Sequence, residues 1–131
     1  MVARQYGKIV NVSSIAASVG IPRLAVYAAS KAFVLHFSEA VAEEVAADGV
    51  TVMALCPGAT ATDFWATVGL WEDALDSMAT PDAVVAQALA AFARRRRVFV
   101  HGARNKMVAW GARIGPRRLV ISLARRMMVE K

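Results

Sequence analysis

Tyr27 and Lys31 stand four residues apart in a stretch without glycine or proline, a spacing that puts two helical side chains on one face, one turn apart. Proton transfer is the chemistry this permits. A phenol with an ordinary pKa of about 10 is a poor base near neutrality, and a cation at close range favours the phenolate and draws that value down. Lys31 is the cation in position to act this way. Taken alone, the pair is also what a solvated helix face carries by chance, so its meaning depends on what the rest of the chain brings to it.

Three runs decide what is brought. Lys8–Ser13 is short and β-branched, and Val50–Cys56 is a second apolar run that ends at Pro57-Gly58; both read as buried strands. Between them, roughly 25–47 is alanine-rich with apolar spacing at Val26, Phe33, Phe37, Val41 and Val45, and Asp48-Gly49 supplies its stop. Strand, long helix, strand is a βαβ unit, whose crossover implies a parallel sheet. Ser14 follows the first strand directly, at the carboxyl end where ligands gather in open parallel sheets, and Pro57-Gly58 lands on the same edge. Serines after a strand also cap turns, and Pro-Gly also breaks chains. Three polar features on one sheet edge are nevertheless a stronger sign than each alone.

Downstream, Thr80-Pro81 reads as an N-cap and first helical position for a helix reaching Ala93, and 97–101 as a third strand. The segment 59–79 reads as an apolar loop with a short helix. Two helices, 105–114 and 117–129, are predicted on either side of Gly115-Pro116.

Asn11-Val12-Ser13-Ser14, then Tyr27-Ala28-Ala29-Ser30-Lys31, then Cys56-Pro57-Gly58-Ala59-Thr60-Ala61-Thr62 resemble, in order and spacing, the motifs of the short-chain dehydrogenases/reductases. The resemblance covers about 7–101. It implies an α/β fold, a Rossmann-like parallel sheet with flanking helices, of which this chain matches the C-terminal catalytic half (1–103), followed by a basic helical extension (104–131). It implies an NAD- or NADP-dependent oxidoreductase acting on a small-molecule carbonyl or alcohol. Tyr27 would exchange the proton at the substrate oxygen, Lys31 would lower its pKa and bind the nicotinamide ribose, and Ser14 would hold the same oxygen. Pro57, Gly58, Thr60 and Thr62 would line the nicotinamide and pyrophosphate side, and Trp65, Leu70, Trp71 and Met78 would form an apolar lid or merely cover the core. The helix carrying Tyr27 commonly forms a subunit contact in this family, so a homo-oligomer is expected. The family's glycine-rich phosphate turn is missing: no Gly-x-Gly occurs in the sequence. The adenosine half of the cofactor site is therefore absent, and the expectation is a fragment inactive alone.

Composition narrows the alternatives. At 57% hydrophobic and 20% charged over 131 residues, the chain is too apolar for a disordered segment, and its apolar runs are too short for a membrane span. The single Cys56 excludes an internal disulfide framework, and neither His36 nor His101 has the partners for a metal or a triad, so no metal is expected. Together with a start lacking an apolar h-region, this reads as a cytoplasmic protein. Net charge runs from −5 over residues 1–93 to +11 over 94–131. Arg94–Arg97 reads as a solvated helix end. In the last helix Leu119, Val120, Leu123, Ala124, Met127 and Met128 fill one arc, opposite Ser122, Arg125 and Arg126. Such a basic amphipathic helix packs against its domain with arginines outward, or lies on a membrane surface. A non-catalytic partner- or membrane-binding role through this helix is the alternative function. Nucleic acid is not expected, because no reader motif or stacking platform accompanies the charge.

Overall fold

The computed structural model describes residues 1–68 and 78–129. Strand β1 (Gly7–Val12), helix α1 (Ala25–Glu44) and strand β2 (Val50–Cys56) form the expected parallel crossover, with Ile9 opposite Val52 and Val12 opposite Leu55. Strand β3 (Val98–Val100) joins the other side of β2, also parallel, giving the order β1-β2-β3. It is shorter than the 97–101 run expected. Helix α1 likewise stops at Glu44, and a 3-10 turn, Ala46–Asp48, completes the descent to Gly49. Glycine is required there: φ is +69° and a Cβ would lie 2.2 Å from the carbonyl oxygen of Gln5.

Alternation along β2 divides the core into two layers. Val50 and Val52 pack with Ile9 of β1, with Val41 and Ala42 of α1 and with Val45 just beyond its end. Met53 and Leu55 turn the other way, onto Val84, Ala88 and Ala91 of helix α3 (Pro81–Ala93), joined by Phe92 and Phe99. Thr80 caps α3 as expected, its hydroxyl accepting the Ala83 N–H at 3.3 Å, with Pro81 as the first residue. Cover on this second face is incomplete: Val10 and Val12, opposite Met53 and Leu55 on the side of β1 away from α1, are exposed.

A short helix, α2 (Phe64–Val68), follows the Pro57-Gly58 turn. After β3 come α4 (Ala103–Ile114) and α5 (Arg117–Val129), within two residues of the expected bounds. Of the arginine run, Arg97 does more than solvate a helix end: its guanidinium pairs with Glu43 at the end of α1.

Candidate active site

Backbone pairing past the strand ends fixes the edge on which the candidate residues meet. Ser13 N donates to Leu55 O at 2.7 Å and Ile15 N to Pro57 O at 2.9 Å, so the sheet ladder continues beyond β1 and brings Ser14 alongside the Pro57 turn. Ser14 has extended backbone and is buried; its hydroxyl oxygen accepts the Ala16 N–H at 3.1 Å, capping the 3-10 turn Ile15–Ser18. The turn-capping role is thus realised. It uses a lone pair, and among the described residues the Ser14 O–H proton has no acceptor, which leaves it free for an incoming oxygen.

Tyr27 and Lys31 occupy the first two turns of α1. The Lys31 ammonium lies 5.7 Å from the Tyr27 ring centroid and donates to Val12 O at 3.1 Å, while the Lys31 backbone carbonyl accepts the Ser13 hydroxyl at 2.7 Å. Lys31 is therefore tied to the end of β1 twice, once through its side chain and once through its main chain. Farther along, the Asn11 amide donates to Ser38 Oγ at 2.9 Å, and Ser38, fully buried, donates to Val34 O at 2.6 Å. These links set the register of α1 against β1 and so the height of Tyr27 and Lys31 above the sheet edge.

The remaining expected residues lie in the loop after β2. A Cβ on Gly58 would fall 2.0 Å from Asn105 Nδ2, whose amide is held by the His101 carbonyl at 2.8 Å, so helix α4 seats directly on the Pro57-Gly58 turn. Thr60 Oγ1 donates to Gly58 O at 3.1 Å and Thr62 Oγ1 to Thr60 O at 3.4 Å; both hydroxyls brace the loop. Trp65 Nε1 reaches Thr60 O at 2.8 Å. Among the described residues, the ring that meets Tyr27 is Phe64, at 5.1 Å between centroids, with Trp65 edge-on to Phe64 at 5.0 Å. Of the residues expected to form a lid, Leu70 and Trp71 lie outside the described residues, and Met78 is half-buried.

Sequence reasoning left several positioning groups unassigned. Asn11 and Ser13 alternate on one face of a β-branched strand, a polar period-2 signal pointing to the helix above it. Ser38 and Asn105 carry no comparable sequence mark, because their partners are 27 and 4 positions away on different elements or turns. Neither histidine joins the site: His36 is exposed beside Glu39, and His101 is buried at the end of β3. Among the described residues no group of His, Cys, Asp or Glu could hold a metal ion. Burial pushes the Cys56 thiol above its ordinary pKa, hydrogen bonds with Ser13 and Ser14 draw it partly back, and the charge of Glu39 adds to the rise.

Residues 1–73 match the family model described as short chain dehydrogenase. The 3-oxoacyl-[acyl-carrier-protein] reductase FabG of Haemophilus influenzae is 44% identical over 63 residues, which is 48% of this chain and 26% of that protein. The acetoacetyl-CoA reductase of Shinella zoogloeoides is 48% identical over 60 residues, 46% of this chain and 25% of the relative. Among solved structures, a short-chain dehydrogenase from Sphingobium yanoikuyae in complex with NADPH superposes with a TM-score of 0.71 at 33% identity, over 87% of this chain and 46% of that one. The matched stretch thus spans about a quarter of the length of these curated relatives, and the fold less than half of the solved structure.

Proposed function

The chain belongs to the short-chain dehydrogenase family, and from that premise we propose that residues 1–103 form the proton-transfer side of an NAD- or NADP-dependent oxidoreductase interconverting a small carbonyl compound and its alcohol. The observation that carries this reading is Lys31, anchored twice to the end of β1 and held 5.7 Å from the ring of Tyr27. A carbonyl gaining hydride develops negative charge on oxygen, and a positioned phenol can supply the proton while a hydroxyl polarises the bond. Tyr27 is that phenol, and Ser14, with an uncommitted O–H, is that hydroxyl. Donation leaves negative charge on the Tyr27 oxygen beside the Lys31 ammonium, and in the reverse direction that oxygen takes the proton of the alcohol.

The donor set suits the nicotinamide ribose but not the adenosine end. Lys31 gives one N–H to Val12 and keeps two for ribose hydroxyls; Pro57, Gly58, Thr60 and Thr62 border the same edge. No Gly-x-Gly turn is present in the sequence to receive a pyrophosphate. When bound, the cofactor supplies or accepts the hydride. The relatives' names make a β-keto thioester the first substrate to try, and the single buried thiol is in keeping with a cytoplasmic setting.

The test is a chimera in which residues 1–131 replace the structurally corresponding part of the H. influenzae reductase, assayed by oxidation of NADPH with acetoacetyl-CoA. Turnover is expected, and Tyr27→Phe is expected to lower it by about 10²- to 10⁴-fold, the usual contribution of a positioned acid. Near-unchanged turnover in that variant, with normal circular dichroism, would overturn the assignment.

A further inference from the structure

From Arg94 to Val129 the chain contains eleven Lys or Arg and no Asp or Glu, and seven of the cations lie on α4 and α5. Helix α4 is seated with its apolar face outward. Met107, Trp110 and Ile114, spaced to share one face, are 68%, 67% and 63% exposed. The side that turns to the body instead carries Asn105, whose amide bonds His101 O and fills the space over Gly58. At 100° per residue, Lys106 and Arg113 border the outward stripe on one side and Arg104 on the other. On α5, Leu119 and Leu123 stand one turn apart and exposed beside Arg126. Packing with arginines outward is the simpler expectation for α5, yet α4 and α5 both leave large apolar side chains in the open among the cations.

A contiguous apolar stripe rimmed by charge marks a surface that another body covers. The charge selects the body. A second copy meeting this face would set Arg104, Lys106, Arg113 and Arg126 against their own counterparts, and neither helix carries an Asp or Glu to pair with them. A nucleic acid would match the cations and leave Met107 and Ile114 uncovered. An anionic bilayer answers both halves of the pattern, since headgroup phosphates attract Arg and Lys while the acyl boundary receives Trp, Met, Ile and Leu. No helix among the described residues is long and apolar enough to cross a membrane.

We propose that α4 and α5 dock this protein onto anionic lipid bilayers, lying in the interface with Met107, Trp110, Ile114, Leu119 and Leu123 inserted. The surface is independent of the Tyr27 site and does not rest on the proposed oxidoreductase function. Co-sedimentation of the full chain with phosphatidylcholine vesicles containing about one third phosphatidylglycerol tests it, because anionic lipid should raise bound protein at least about tenfold over phosphatidylcholine alone. Binding should fall as salt is added. It should be lost in Met107→Ser/Trp110→Ser/Ile114→Ser, whose side chains are exposed and whose helicity should be unchanged, and weakened in Arg104→Gln/Arg113→Gln. Equal retention on neutral vesicles, retention by the triple variant, or no retention at all would overturn the proposal. So would self-association without lipid that the triple variant abolishes, which would assign the stripe to a second copy.

Discussion

The Ser13 hydroxyl donates to the backbone carbonyl of Lys31 at 2.7 Å, joining the end of a strand to the second turn of a helix 18 positions away. The carbonyl of Lys31 also belongs to the α-helical ladder, so this bond adds a strand anchor to a group already held within its own element. Ser13→Ala removes the anchor, together with the Ser13 bond to the Cys56 thiol, and leaves the Lys31 carbonyl in its helical bond. The expected loss is about 1 kcal/mol of stability, the net value of an ordinary hydrogen bond, read from urea unfolding. A loss near zero would mean that the Lys31–Val12 and Asn11–Ser38 bonds hold the register without it.

Gly58 and Asn105 make a sharper case. Gly58→Ala would drive a methyl into the Asn105 amide at 2.0 Å, and that amide is fixed by His101 O at 2.8 Å. We expect a destabilisation of about 1–3 kcal/mol, typical of overpacking. Adding Asn105→Ala should recover part of it by vacating the space. If the double variant is no more stable than Gly58→Ala, the glycine serves the turn itself rather than the seat of α4.

Element order, parallel topology and the α3 cap are legible in the sequence because each has a local cause: β-branched runs at 8–13 and 50–56, Gly49 in a left-handed turn, and Thr80-Pro81 before a helix. The grouping of Ser14, Tyr27 and Lys31 at one sheet edge follows from that topology. What composition and periodicity do not carry is direction. The pattern of α4 says that the helix has an apolar face, yet only the Asn105 seat over Gly58 decides that this face points outward. The contact of Phe64 with Tyr27 is equally unreadable, since it depends on how the loop after β2 folds back and not on any spacing within α1.

Cys56 links stability to pH. Burial raises its pKa in the folded chain above the ordinary thiol value, so below about pH 8.5 the thiol is protonated in both states and contributes no pH dependence. Above that, the unfolded chain ionises first and binds fewer protons than the folded one, so the stability this group contributes is lost as pH rises through the folded pKa. The stability advantage of the wild type over Cys56→Ala should therefore shrink between about pH 7 and pH 10. Iodoacetamide should label the folded chain far more slowly than the urea-unfolded one, because the thiolate is the nucleophile. Rapid labelling of the native protein, or a constant stability gap, would contradict the burial argument.

The outer face of α1 predicts self-association. Phe33 and Phe37 stack at 5.8 Å between centroids and are 69% and 51% exposed, with Val26 on the same helical face also open to solvent. Burying a phenylalanine side chain is worth about 1.5–3 kcal/mol, so a symmetric contact that covers the pair on both copies gains several times that before its entropy cost. The other candidate surface is the free edge of β1, where Val10 and Val12 are exposed and the backbone on the side away from β2 is open to pairing. Light scattering separates the two. Mass should rise with concentration, and Phe33→Ser/Phe37→Ser should return it to that of one chain while leaving helicity intact, whereas Val10→Lys/Val12→Lys should have little effect. Recovery of the monomer by the strand variant instead would assign association to the sheet edge, and a mass independent of concentration would remove both surfaces from consideration.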